Sequence, residues 1–513
     1  MSGDINWTAL IVFVLFFALV TVLGFFASRW KAGDLSQLHE WGLGGRRFGT
    51  WITWFLVGGD FYTAYTVIAV PAVVFAAGAR GFFALPYTII VYPIVFTLMP
   101  RLWAVCKKHN YVTSADFIQG RYGNSFLAFA VAFTGILATM PYIALQLVGM
   151  QAVIGALGIG GPGLMGELPL IIAFVILALY TYSSGLRAPA MIAFVKDIMI
   201  YIVVIAAVAV IPIKLGGYAH VFQAAADAFA AKGGPTGLTL KSAQMVPFAT
   251  LALGSAMAAF MYPHTMTGVL SSSSGDVVRK NAMLLPAYTI LLGLIAMLGF
   301  MAIAAGVTVK NSTDVVPALF QAIFPDWFVG FSYAAIAIGA LVPAAIMSIG
   351  AANLFTRNIW KPLFGRQMKP ESEAATAKMV SLVVKVGALA FIIFDQAKFA
   401  IDLQLLGGVW IIQTFPAIVF GLYRTRLNSW ALFVGWATGM IVGTWMAYST
   451  GTIQSVYALS LGDAKYSVYI GILAGLLNIA VTLILSFVLK AMGNAADTDQ
   501  TTAGDYELTS ESA

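Results

Sequence analysis

The stretch from Thr50 to Gly81 constrains this chain more than any other. After the threonine it reads WITWFLVGGDFYTAYTVIAVPAVVFAAGARG, long and apolar enough to cross a bilayer. Its middle holds Gly58, Gly59 and Asp60, and Pro71 follows eleven residues later. Glycine weakens a helix, proline removes a backbone donor, and a carboxylate at the bilayer centre costs about 2.5–3.5 kcal/mol on insertion scales. A purely structural span would not be built this way. Interrupted helices at membrane depth persist where the freed backbone groups line a cavity, so the rest of the chain is read as scaffold around this break.

Composition agrees with a membrane setting. The 513 residues are 60% hydrophobic and only 10% charged, with a mean hydropathy of +0.89, whereas soluble domains carry about a quarter charged residues. The net charge of +7 is distributed between apolar spans and forms no basic stripe, so nucleic acid is not an expected partner. A single cysteine, Cys106, excludes a disulfide framework, and four scattered histidines offer no metal-ligand cluster. With no basic n-region and no small-residue cleavage site, the first apolar run is expected to be a retained span and not a signal peptide.

Apolar runs of about 20 residues predict thirteen helices, near 7–27, 50–78, 82–100, 125–155, 168–184, 190–213, 245–268, 283–306, 328–355, 379–395, 401–422, 430–449 and 468–491. Basic residues concentrate in alternate loops, among them Arg46, Arg47, Arg101, Lys107, Lys108, Arg121, Arg279, Arg357 and Lys361. By the positive-inside rule the N-terminus lies outside and the C-terminus in the cytoplasm. Residues 1–491 then form one transmembrane domain, and 492–513 an acidic, disordered cytoplasmic tail carrying Asp497, Asp499, Asp505, Glu507 and Glu511. The alanine-rich run after Gly216 predicts a short surface helix ending at Gly233-Gly234-Pro235. The string GALGIGGPGLMG at 155–166 follows a span and precedes no nucleotide-domain helix, so it is read as a connector.

A second interruption lies in VPFATLALGSAMAAFMYPHTMTGVL, with Gly254, Pro263 and Gly268. Two interrupted helices five spans apart are what an inverted repeat of five plus five helices, 2–6 and 7–11, predicts.

Several passages carry a family resemblance. YIALQLVG at 142–149, GLRA at 185–188, YPH at 262–264 followed by SSSSGDVVRKNA, PAAIMS at 343–348, FTRNIW at 355–360 and GGVWIIQTFPA at 407–417 resemble, in order and spacing, the sodium:solute symporter family over about residues 5 to 490. Within it the chain looks most like the bacterial monocarboxylate permease branch, which takes up small acids such as lactate, pyruvate or acetate. The resemblance implies an all-α membrane protein with a LeuT-type 5+5 inverted-repeat core and solute import driven by a cation gradient. No cofactor and no obligatory protein partner are expected; the partners are the solute and the lipid bilayer of the inner membrane.

The family's cation site lies between the break in helix 2 and two hydroxyl residues in helix 9. The implied cation-binding set is Gly58, Gly59, Asp60, Ala345, Ser348 and Asp197. Aligning AAIMS puts Ser348 on the first hydroxyl and Ile349 on the second; aligning back from FTRNIW puts Val342 and Pro343 there. Either way a hydroxyl is missing, and the coupling ion is left open between Na+ and H+. Asp197 follows GLRA four residues later than the family aspartate, about one helical turn, and Lys196 beside it offers a neutralising partner.

The substrate-binding candidates are Tyr142 and Gln146, one turn apart on one helix face; Tyr262 and His264, flanking Pro263; and Trp410, Gln413 and Thr414 of the last core helix, an expected outer gate. Each has a bland alternative: interface anchoring for tyrosine, a satisfied core histidine, helix packing for the last three. Lys385 is left unassigned. An amino acid or vitamin symporter and a transporter-fold sensor are the rival readings, and a passive channel is a third. An enzyme is disfavoured, since no nucleophile–histidine pair or phosphate loop stands in the required context.

Overall fold

The helix Asp326–Leu354 is the pillar of the molecule, and every residue of its apolar window is buried. Its sequence, rich in alanine and glycine, lets neighbouring backbones approach closely. At Gly330 a Cβ would lie 2.2 Å from the carbonyl oxygen of Ala9 in the helix Trp7–Phe26, so no larger residue fits that crossing. Trp7–Phe26 starts on an Asn6 cap and leaves Ile11, Leu15 and Val22 exposed, as a helix against lipid does.

The computed structural model describes residues 5–31, 33–160, 165–234, 236–365, 367–394, 400–423, 427–449, 451, 453–462, 464–493 and 498–508; the side chains of Asp60, 391–394, 400, 461 and 464 lie outside this description. Among the described residues, nine helices are long and apolar enough to cross a membrane, ten with the bent pair Ser242–Ala259 and Pro263–Leu270. The count of thirteen differs for local reasons. The span expected at 50–78 is split, and its second part joins the next span in the 44-residue run Tyr65–Lys108; Leu168–Ser184 forms as expected but with a short apolar length. The helix expected at 379–395 begins at Pro370 and runs into residues outside the description.

Both predicted interruptions are present. Thr50–Thr53 is α-helical, Trp54–Gly58 widens to a π-helix, and Gly59–Phe61 tightens to a 3₁₀ turn. The chain leaves helical geometry at Tyr62 (φ −99°, ψ 80°). It resumes as a π-turn, Tyr65–Ala69, that runs on into Val70–Ala77, with Pro71 directly after the π-turn. The second interruption bends by 49° between Ala259 and Pro263, and Tyr262 is extended there (φ −61°, ψ 141°).

The expected surface helix is Tyr218–Lys232, ended by Gly233 at φ +67°. An antiparallel hairpin, Val456–Leu461 with Ala464–Tyr469, was not anticipated. The GALGIGGPGLMG connector falls partly outside the described residues, at 161–164.

The acidic tail differs from expectation. Residues 498–508 pack onto the basic end of the bundle: Asp505 pairs with Lys108 at 2.6 Å and His109 at 2.8 Å, and Asp499 pairs with Arg121. The Tyr506 ring lies 5.7 Å from both the Arg101 and the Arg121 guanidinium. Composition alone reads such a tail as solvated, because it counts acids without seeing the bases that face them.

Candidate functional site

One helix, Ser125–Ala156, serves both interruptions. Its residues Tyr142 and Gln146 share a face one turn apart. Gln146 is fully buried, and its Oε1 accepts from the Ala64 N–H at 3.1 Å while its Nε2 donates to the Tyr142 carbonyl at 3.3 Å. Thr63 and Thr66 complete the local capping: the Thr63 N–H donates to Thr66 Oγ1, and the Tyr65 N–H to Thr63 Oγ1, both at 3.0 Å. The N–H groups of residues 63 to 65 at the first break are therefore all used by protein side chains.

Around the second break the Tyr142 ring lies 5.3 Å from Tyr262 and 5.4 Å from His264, and Tyr262 lies 5.1 Å from His264. All three are buried. Tyr262 donates its hydroxyl to the Gln404 carbonyl at 3.0 Å. No side chain caps the Pro263–Leu270 helix. Tyr65, an electrostatic neighbour of Tyr262, has a buried hydroxyl without a hydrogen-bond partner among the described residues.

The cation candidates are placed unequally. At Gly59 a Cβ would lie 2.8 Å from Lys196 Nζ and 2.9 Å from Asp197 Oδ2, so glycine is what lets the helix Arg187–Lys214 come this close. Lys196 Nζ donates to the Gly59 carbonyl and to the Tyr62 carbonyl at 3.3 Å, and lies 2.9 Å from Asp197 Oδ1. Tyr288 donates its hydroxyl to Asp197 Oδ2 at 2.7 Å. Both members of the ion pair are fully buried. Gly58 packs on the Tyr288 ring. The Asp60 side chain lies outside the described residues.

On the pillar helix, Ser348 Oγ donates to the Ala345 carbonyl at 2.8 Å. It accepts from Ser381 Oγ at 3.1 Å, which in turn accepts from Lys385 Nζ at 2.7 Å. Sequence reasoning missed Tyr62, Tyr65, Tyr288 and Ser381, and saw Lys196 only as a neutraliser of Asp197.

The three gate candidates, Trp410, Gln413 and Thr414, all have hydrogen bonds within the bundle. Trp410 Nε1 donates to Thr444 Oγ1 at 2.9 Å, and Gln413 Oε1 accepts from Asn478 Nδ2 at 3.2 Å. Thr414 bonds back to the Ile411 carbonyl at 2.7 Å. Trp410 and Gln413 thus join the core to the helices Ser429–Tyr448 and Ile470–Ala491.

A membrane-embedded bundle with two interrupted helices joined through one polar helix face is the architecture of a secondary transporter. The sodium:solute symporter family model matches residues 41–443. The chain is 61% identical over 492 residues to the monocarboxylate transport permease protein of Rhizobium johnstonii, covering 96% of this chain and 99% of that one. It is 36% identical to the uncharacterized symporter YodF of Bacillus subtilis, over 88% of this chain and 90% of the relative. A solved structure of a Na+-coupled sialic acid symporter, substrate-bound and outward-open, superposes with a TM-score of 0.75 at 16% identity, covering 95% of this chain and 98% of that one. The chain belongs to the sodium:solute symporter family, has the LeuT-type fold, and is a transport protein rather than an enzyme.

Proposed function

We propose that this symporter imports a small organic monocarboxylate by alternating access, driven by inward movement of a cation, Na+ or H+, across the bacterial inner membrane. The N-terminus is outside and the C-terminus inside. The observation that carries the reading is the second interruption. Its helix, Pro263–Leu270, has no side-chain cap, and Tyr142, Tyr262 and His264 surround its start. A helix N-terminus offers N–H groups and a positive dipole end to an anion, worth about 0.3–1 kcal/mol and up to about 2 in partly buried sites.

The first break is less suited to the carboxylate, because its N–H groups already have acceptors in Gln146, Thr63 and Thr66. An imidazole and the backbone donors of the helix start match one small carboxylate, the Tyr262 hydroxyl being held by the Gln404 carbonyl; a dicarboxylate calls for a guanidinium fork. The name of the 61% identical relative points to the same substrate class.

The test is uptake of radiolabelled pyruvate into proteoliposomes with unlabelled competitors. Lactate and acetate compete and proline does not on this reading. Competition by proline, with none by lactate or acetate, contradicts it.

A further inference from the structure

Sodium in this family is expected between the backbone carbonyls of the first interruption and hydroxyls on the helix Asp326–Leu354. Sodium is a hard cation that needs several oxygen ligands free to turn toward it. Here the carbonyls of Gly59 and Tyr62 both accept from Lys196 Nζ, whose remaining neighbour is Asp197 Oδ1 at 2.9 Å. Two of the three donors of this ammonium group go to carbonyls, and Asp197 Oδ1 is its ion-pair neighbour, accepting no hydrogen bond among the described residues. Lys196 is fully buried, so it cannot turn aside into solvent.

The opposite half of the expected site is committed as well. Ser348 donates to the Ala345 carbonyl and accepts from Ser381, and Ile349 stands where a second hydroxyl would be. Lys385 donates to Ser381 behind it. Among the described residues the donor set does not fit a sodium ion.

From this disagreement we infer that the Lys196 ammonium is the built-in cation of the helix break, holding the Gly59 and Tyr62 carbonyls and Asp197 in the place where a family member would bind sodium. Lys196 thereby determines ion specificity. Removing its side chain to Cβ opens a space lined by two carbonyl oxygens and a carboxylate, and sodium then completes the site. The inference uses the symporter reading to identify the break as the cation site. It makes no use of the organic acid, so its failure and a wrong substrate class are separately visible.

The test is a count of ²²Na+ bound per chain by scintillation proximity on the purified full-length protein, without organic acid. Lys196→Ala is expected to bind one more sodium ion than the wild type, and its thermal unfolding to become sodium-dependent against a choline chloride control. An equal or lower count in a monodisperse Lys196→Ala protein overturns the inference. Lys196→Ser, which keeps a small polar side chain in the break, provides the second arm. It too is expected to bind one more sodium ion than the wild type, and an equal or lower count in a monodisperse Lys196→Ser protein overturns the inference even if Lys196→Ala fails to fold.

Discussion

Gln146 Oε1 accepts a hydrogen bond from the backbone N–H of Ala64 at 3.1 Å, across 82 residues of chain. The bond ties the first helix break to the helix that also carries Tyr142 against the second. Gln146→Ala leaves the buried Ala64 N–H without an acceptor, at a cost of about 1–3 kcal/mol. Thermal unfolding in detergent measures this, and Gln146→Leu, which keeps the bulk without the acceptor oxygen, should lose stability as well. Wild-type stability in Gln146→Leu would contradict the role assigned to this bond.

The Lys196–Asp197 pair predicts an asymmetric response. Asp197→Asn leaves the ammonium buried without its countercharge, a loss of about 3–5 kcal/mol. Tyr288→Phe removes one hydrogen bond to the carboxylate and costs about 1.5–3 kcal/mol. Chemical unfolding of the two variants should rank them in that order, and the reverse order would show that Tyr288 holds Asp197 more strongly than the lysine does.

At the second interruption, His264→Ala removes an imidazole from the start of Pro263–Leu270. A hydrogen bond to a charged group is worth about 1.5–3 kcal/mol, which corresponds to a rise in half-saturation of about 10- to 100-fold for monocarboxylate uptake. Gln413→Ala, at the junction with Asn478, should leave half-saturation unchanged while lowering stability by about 1 kcal/mol. A larger transport defect in Gln413→Ala than in His264→Ala would return Gln413 to the substrate path.

The docked tail is expected to respond to acid and not to mild base. Burial works to raise the Asp505 carboxyl, but hydrogen bonds from Lys108, the Thr502 N–H and His109 outweigh it and hold the group well below the usual carboxylate range. A depressed folded-state value means stabilisation that is present above the unfolded value, about 3.9, and lost as pH falls below it. Hydrogen exchange of residues 498–508, corrected for intrinsic rate, should stay protected from neutral pH to about 5 and lose protection below about 4. Asp505→Asn should expose the segment at neutral pH, and unchanged protection in that variant would mean that Asp499 and Tyr506 hold the tail without Asp505.

Much of the architecture was legible because its signals are local. Pro263 interrupts a helix through its own backbone chemistry, Gly58 and Gly59 mark the other break by admitting Tyr288 and Lys196 at close range, and both breaks fall where the sequence places them. That Gln146 shares a helix face with Tyr142 followed from their one-turn spacing. What it bonds did not, since Ala64 is brought there only by packing. Lys196 was visible beside Asp197, yet its reach to the Gly59 and Tyr62 carbonyls depends on how two helices cross. The Ser348–Ser381–Lys385 chain joins two helices and has no sequence signature. Trp410 and Gln413 carry the residue types of a gate, but helical phase turns them toward Thr444 and Asn478. The tail packs because its acids meet Lys108, His109 and Arg121, a complementarity that composition counts separately for each segment.

The most direct test of the central claim is accumulation of radiolabelled pyruvate in proteoliposomes containing the full chain, under an imposed inward sodium gradient and, separately, an imposed inward proton gradient. Cation-driven symport predicts an internal concentration that transiently exceeds the external one under one of these gradients and collapses when that gradient is dissipated. Equilibration to equal concentrations under both, with no overshoot, would contradict it and make the protein a passive pathway for the acid.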